Sequence, residues 1–330
     1  MSHIRNITPA EIAAFKTNGV VHLKKLFDPE WVSMLQELAD SVLENPGKLA
    51  NELAHKSAEG RFFSDTFLWH QNDEFKEFIY HSPAAEIVRQ VMQSNKINII
   101  FDQLLIKEPN TNEPTAWHHD LTYWPIKGPN VVTLWLALDD VTDQTGSMEF
   151  IKGSHLWGER YHPVAFVDPT KYNTPEPPVP DIDNRREEFE FIQFDYTPGD
   201  CTIHDGLLVH AAGGNRSHTQ RRRAYVTRWA GDNVVYDPRP NIQKMLWEPA
   251  INKGAPLDSE LWPVIWPKDY TSINSMTAPF PSSGLTQSDI GERNTGCTPF
   301  AFSKLSRTPK FLTLITAAAT AGRIGASAPS

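Results

Sequence analysis

The run Trp117-His118-His119-Asp120, answered about ninety residues later by His210 and the cluster Arg221-Arg222-Arg223, constrains this chain more than any other feature. His118 and Asp120 stand two apart, so on an extended segment their side chains leave the same face. A histidine and a carboxylate held that way, joined by one distant histidine, are the ingredients of a two-His-one-carboxylate facial triad. That donor set suits non-haem Fe(II). Three ligands on one face leave the opposite positions of an octahedral ion open to dioxygen and substrate chemistry. An arginine just beyond the second histidine supplies a planar fork for a carboxylate-bearing co-substrate. A fold that uses these residues together must bring remote segments side by side.

A lone His-x-Asp is weak, because about one arises by chance in a chain of this length. Its surroundings add weight. Trp117 before it and Tyr123-Trp124-Pro125 after it set aromatic side chains beside the polar pair. His210 follows a β-like run, residues 201–209, that opens at the turn signal Thr197-Pro198-Gly199-Asp200. Small residues after it, Ala211-Ala212-Gly213-Gly214, let a backbone pass close to a neighbour. His119 points to the other face of an extended segment and is not expected to ligate. His204, six before His210, would share its strand face and support the ligands rather than join them. His155 reads as a hydrogen-bonding loop residue. Of three adjacent arginines on a strand at least one must face inward, where a guanidinium needs an anion.

The texture of the chain changes once. Residues 1–95 read as helical: Thr8-Pro9-Ala10-Glu11 is a capping box with Gly19 placed to stop the helix. Asp28-Pro29-Glu30 opens a second helix with Trp31, Leu35, Leu38 and Val42 at helical spacing, and Ser82-Pro83 a third. Residues 96–235 then read as short strands, with runs at 97–106, 131–138, 189–196, 201–209 and 224–229. The expected class is α+β, mainly β, an antiparallel sandwich or barrel with helices outside. The proline-rich stretch 168–186 is long enough to be a lid or binding loop, with 174–183 as its candidate core. Residues 236–300 read as a C-terminal extension of one domain spanning 1–300, and 301–330 as a low-complexity tail.

Composition narrows the partners. A formal charge of −9 argues against nucleic acid or an anionic membrane surface. No window approaches the roughly 18 apolar residues a membrane span needs. Two cysteines, Cys201 and Cys297, make no disulfide framework, and no secretory leader is visible at Ser2-His3-Ile4-Arg5. A cytoplasmic setting and a small-molecule substrate are expected.

The ordered series Trp117-His118-x-Asp120-x-x-Tyr123-Trp124-Pro125, Trp135, Gly146-Ser147, Gly153-Ser154-His155, Pro198-Gly199-Asp200, His210, Asn215 and Arg222-Arg223-Ala224 resembles the phytanoyl-CoA dioxygenase family of Fe(II)/2-oxoglutarate oxygenases. The resemblance covers roughly residues 100–230. It implies a double-stranded β-helix, or jelly roll, with His118, Asp120 and His210 as iron ligands. It also implies dioxygen as oxidant and an arginine on the far carboxylate of 2-oxoglutarate. Counting eleven from His210 lands on Arg221; matching the Arg-basic-Ala run and the aromatic Trp229 selects Arg222, which is preferred because strand register is harder to change than loop length. Gln103 and Trp135 match positions that touch the co-substrate, and Tyr123 and Trp124 are candidates for the substrate wall. Two departures stand out: His119 where a glutamine is common, and Ala211-Ala212 where Gly-Ser is usual. The carboxylate at Asp120 favours oxygen insertion or oxidation over halogenation.

The expected activity is oxidation, in the first place hydroxylation, of an unactivated C–H bond in a small organic metabolite. Two rivals are a jelly-roll metal enzyme that does not use 2-oxoglutarate, such as a cupin-like dioxygenase or an isomerase, and an inactive binding module on the same scaffold.

Overall fold

Side-chain alternation along paired strands builds this molecule. In the computed structural model, residues 5–54, 59–165, 172, 174–240 and 242–268 are described. All lie in one unit, Met1–Ala278. The expected boundary near residue 300, the tail beyond it and Cys297 fall outside the described residues.

Four helices are α1 (Pro9–Asn18), α2 (Pro29–Glu44), α3 (Asp73–His81) and α4 (Ala84–Met92). The strands of the first half are β1 (Val20–Leu23), β2 (Asn51–Glu52), β3 (Phe62–Thr66), β4 (Ile97–Lys107), β5 (Thr115–His118), β6 (Ile126–Lys127) and β7 (Val131–Ala137). Those of the second half are β8 (Met148–Ile151), β9 (Phe191–Gln193), β10 (Cys201–Asp205), β11 (His210–Ala212), β12 (Arg222–Ala230), β13 (Val235–Tyr236) and β14 (Val264–Trp266). The larger sheet runs β1-β10-β7-β12-β4-β3-β2, with β14 also on β4. The smaller runs β5-β11-β8-β9, and β13 pairs with β6. All the described pairings between these strands are antiparallel. The architecture is a jelly roll with helices packed outside, as the sequence leads one to expect.

Register divides the larger sheet into two faces. Leu104, Ile106, Leu134, Leu136, Ile203, Tyr225 and Trp229 are buried with Leu35 and Leu38 of α2, Phe75 and Phe78 of α3, and Val88 and Val91 of α4. Each such large side chain, once fully buried, contributes roughly 1.5–3 kcal/mol of transfer free energy. The opposite face looks at the smaller sheet. Across it, Arg228 pairs with Phe101 and Thr133, and Thr133 with His204. One row along, Val226 pairs with Gln103 and Trp135, and Trp135 with Thr202. At the far end Arg222 pairs with Lys107, and Lys107 with Phe62. The buried polar side chains Lys107, Thr133, His204, Arg222 and Arg228 therefore share the face of the larger sheet that looks at the smaller one.

The amino-terminal stretch differs from its helical expectation. Helix α1 has its capping box, and Gly19 ends it in the left-handed region at φ 80°. A Cβ at Gly19 would meet His155 Nδ1 and Leu208 Cδ1, each at 2.5 Å, so glycine is required twice over. Yet β1 follows at once on the edge of the larger sheet beside β10, and β3 lies on β4. These strands are four and five residues long, too short to announce themselves between helix signals. Helix α3, capped by the Asn72 side chain, precedes the expected third helix. The run 201–209 is not one strand: β10 stops at Asp205, Leu208 N–H donates to Asp205 O, and His210 opens β11 in the other sheet. His204 and His210 thus lie on facing sheets rather than on one strand face, their rings 4.7 Å apart.

Candidate active site

His118, the last residue of β5, is the cross-strand partner of His210, the first of β11. Their ring centroids are 4.3 Å apart. The backbone stays extended through His119 (φ −128°, ψ 152°) and then tightens into a short 3-10 turn, Asp120–Tyr123. Extension at His119 is what returns Asp120 to the side of His118: Nε2 of the histidine lies 3.7 Å from Oδ1 of the aspartate. One ligand atom from each of His118, Asp120 and His210 falls within 4.8 Å of the others, and all three residues are buried.

Both imidazoles are oriented by the backbone two residues upstream. His118 Nδ1–H donates to Ala116 O at 2.8 Å, and His210 Nδ1–H to Leu208 O at 2.9 Å. Each contact fixes the tautomer that presents the Nε2 lone pair to the shared point. Burial lowers the pKa of His118, and burial with the charges of His118 and His204 holds His210 well below its usual value. Burial opposes the Asp120 charge, but contact with His204 and the charges of His210 and Arg228 outweigh it and hold this carboxyl well below the carboxylate range. Two neutral imidazoles and an ionised carboxylate are the protonation states a divalent cation requires.

Asp120 is held from below. Thr133 Oγ1–H donates to its Oδ2 at 2.5 Å, and His204 Nε2 stands 3.5 Å from the same oxygen. Arg228, in the same row, carries a buried guanidinium over the Phe101 ring at 4.7 Å. His119 turns the other way: its Nε2 accepts from Tyr161 N–H at 2.9 Å, and burial pushes its pKa down to about 4.

The three arginines separate. Arg221 points outward and pairs with Asp40 (2.6 Å) and Glu108 (2.9 Å). Arg223 pairs with Asp139 at 2.7 Å. Arg222 alone enters the barrel, 2% exposed, with its guanidinium 5.7 Å from the Trp135 ring centroid and a buried Nε–H that has no acceptor among the described residues. Burial draws its pKa down to about 10. Lys107 beside it is fully buried and donates to Gly213 O at 2.7 Å. Gln103 spends both ends of its amide inside the protein, accepting from Arg228 Nη2 at 2.6 Å and donating to Ser64 Oγ at 2.7 Å.

Tyr123 stands edge-on to His118, ring centroids 6.0 Å apart, and its hydroxyl both donates to Val164 O (2.8 Å) and accepts from Val164 N–H (2.9 Å). Trp124 turns into the core, edge-on to Phe101 at 5.6 Å. Arg239 braces the ligand turn, with Nη2–H donating to Thr122 O (3.1 Å) and Trp124 O (2.8 Å) and Nη1 3.4 Å from Glu176. Asp237 N–H donates to Pro125 O and Gln243 N–H to Tyr123 O. In the candidate lid, Trp117 Nε1–H donates to Asp183 Oδ1 at 2.9 Å. His155 Nε2 lies 3.2 Å from Lys16 O, at the end of α1 and in keeping with a loop role.

Thr133, Lys107 and Arg228 were not singled out in the sequence. The signal for Arg228 was present: it stands six residues beyond Arg222, an even number, and so shares its face of the strand.

A family model of the phytanoyl-CoA dioxygenases (PhyH) matches residues 15–224. The chain belongs to the phytanoyl-CoA dioxygenase family. It is 24% identical over 226 residues to the multifunctional dioxygenase prhA of Penicillium brasilianum, an alignment covering 64% of this chain and 68% of prhA. It is 25% identical over 147 residues to phytanoyl-CoA dioxygenase 1 of Oryza sativa subsp. japonica, covering 44% of this chain and half of the rice protein. Among solved structures it is similar to the non-heme alpha ketoglutarate dependent carbocyclase SnoK from nogalamycin biosynthesis (TM-score 0.64, 21% identity, 78% of this chain and 96% of SnoK). It is also similar to the epimerase SnoN in complex with Fe3+, alpha ketoglutarate and nogalamycin RO (TM-score 0.62, 21% identity, 78% and 97%). At these identities the structures speak for the fold. Among the described residues no helix is long and apolar enough to cross a membrane.

Proposed function

We propose that this chain is an Fe(II)/2-oxoglutarate-dependent dioxygenase that hydroxylates, or otherwise oxidises, an unactivated C–H bond of a small organic metabolite. The observation that carries this reading is a pair. His118, Asp120 and His210 offer ligand atoms within 4.8 Å of one another, and the inner face of β12 carries Arg222 buried without an acid hydrogen-bonded to it. The first matches the facial donor set of non-haem iron. The second is an orphaned cation of the shape that grips a carboxylate in two places.

When bound, Fe(II) and 2-oxoglutarate supply a coupling in which dioxygen converts the 2-oxo acid to succinate and carbon dioxide while one substrate C–H becomes C–OH. The residues of the chain position and shield. His118 and His210 hold the ion through Nε2, their Nδ1–H groups engaged by carbonyls. Asp120 supplies the anionic ligand, kept ionised by its neighbours. Arg222 takes the far carboxylate of the 2-oxo acid, with Trp135 flanking it. Tyr123 lines the approach beside His118 and ties the segment at Val164 over it. That SnoN and SnoK are an epimerase and a carbocyclase indicates that this scaffold also serves outcomes other than hydroxylation. A metal enzyme that dispenses with 2-oxoglutarate would leave Arg222 buried without an anion, which disfavours it.

The test is iron-dependent succinate formation across a metabolite panel, scored above the uncoupled background. His118→Ala should abolish metal binding and turnover together. Tight metal binding with no 2-oxoglutarate consumption under any condition would favour the alternative enzyme instead.

A further inference from the structure

Resting on the reading just given, we infer that Arg228 is a second carboxylate-binding residue, taking the carboxylate adjacent to the keto group of the 2-oxo acid while Arg222 takes the distant one. Arg228 is 7% exposed and lies on the inner face of β12 in the row of Thr133 and His204, the two residues that touch Asp120. One of its nitrogens is spoken for: Nη2–H donates to Gln103 Oε1 at 2.6 Å. Its Nε and Nη1 are buried and have no acceptor among the described residues. A guanidinium has two paired-donor edges, Nε with Nη2 and Nη1 with Nη2, and on each of them Arg228 keeps one buried donor unmet, which is costly unless an anion such as a carboxylate takes it.

The aim of these donors is set on two sides. Phe101 lies under the guanidinium plane, and Gln103, itself anchored to Ser64, holds the opposite corner. Asp120 supplies charge nearby and accepts from Thr133, with His204 3.5 Å away, but makes no hydrogen bond to Arg228 among those described. Arg222 and Arg228 are six residues apart on one strand, so their Cα atoms are separated by about 20 Å, and each meets the row of Val226 between them, Arg222 at Trp135 and Arg228 at Gln103. A short dicarboxylate is the ligand that two such forks accept at once, with its keto acid end at the row of Asp120. Gln103 acts on this co-substrate through Arg228 and is a positioning residue.

The experiment measures binding calorimetrically to the Fe(II)-loaded full chain without dioxygen, using 2-oxoglutarate and 2-oxobutyrate, which lacks the distant carboxylate. Arg228→Met should weaken both by the same factor, roughly 10- to 100-fold. Arg222→Met should weaken 2-oxoglutarate alone. Arg228→Lys, which keeps the charge and loses the fork, should fall between wild type and Arg228→Met, and it keeps the test open if the Met variant does not fold. Unchanged affinity for both acids in a folded Arg228 variant, with weaker iron binding, would assign Arg228 to support of Asp120 and overturn the inference. Unchanged affinity with loss of substrate-coupled turnover only would move its carboxylate to the substrate and overturn it equally. If the wild-type protein binds neither acid, the functional reading itself falls, and the inference with it.

Discussion

Thr133 stands under Asp120 and donates its hydroxyl to Oδ2 at 2.5 Å. The pair joins β7, an interior strand of the larger sheet, to the turn that carries Asp120. Thr133→Val keeps the shape and deletes the donor. The expected result is a 10- to 100-fold loss of metal affinity, the usual scale for a group that orients a ligand, with roughly unchanged melting temperature. Competition against a chromophoric chelator measures it; wild-type affinity in the variant would remove Thr133 from the support of Asp120.

Arg221 and Arg222 are adjacent in sequence and face opposite ways, Arg221 into ion pairs at the surface and Arg222 into the interior. Arg222→Ala is expected to leave iron bound and to raise the apparent constant for 2-oxoglutarate at least tenfold. Arg221→Ala breaks half-exposed pairs with Asp40 and Glu108, so it should change stability by about 1 kcal/mol or less and leave the co-substrate unaffected. The reverse pattern in a steady-state titration would shift the strand register by one.

Asp102, on the outer face of β4, gives a pH signature away from the ligands. Burial pushes its carboxyl up to about 7, against the hydrogen bonds donated by Tyr225 Oη–H and Trp69 N–H. The folded state therefore holds a proton that the unfolded chain releases near its ordinary value. Stability from this group is greatest in acid, declines as pH rises from about 4 to about 7, and is flat beyond. Asp102→Asn should flatten that decline, a difference on the order of a few kcal/mol. Parallel profiles of the two proteins in pH-dependent urea melts would contradict the assignment.

The hydroxyl of Tyr123 makes two hydrogen bonds to the backbone of Val164. Tyr123→Phe should cost about 1–2 kcal/mol and speed hydrogen exchange at the Val164 amide. Protection unchanged at that amide would mean the segment is tied down elsewhere.

The candidate triad and the larger strands were legible because each had a local signature: a His-x-Asp with aromatic flanks, turn residues before β10, and an Arg-Arg-Ala run at the head of β12. Alternation required one of the three arginines to face inward, and the match of the Arg-basic-Ala run and Trp229 to the family pattern selected Arg222 over Arg221. What stayed hidden depended on distance in space. Strands β1 and β3 are too short for a periodic signal and exist because β10 and β4 offer open edges. The break at Asp205 came from side chain and carbonyl contacts at a turn, with no glycine-proline signal until Gly206, so residues 201–209 looked continuous. Trp124 matched a wall residue by position, yet it is 1% exposed and packs with Phe101. Only the fold could show that Gln103 is engaged by Arg228.

The family stretch ends at residue 224, yet the turn that bears Asp120 is buttressed from beyond it, by Asp237, Arg239 and Gln243. Arg239 also pairs with Glu176 in the proline-rich stretch, so that stretch and the Asp120 turn share one fastener. A change in the carboxy-terminal region at these residues would also shift the turn that carries Asp120. In such a scaffold new selectivity and cofactor grip cannot drift independently, and exchanging that region between relatives would disturb occupancy before it disturbed the sheet.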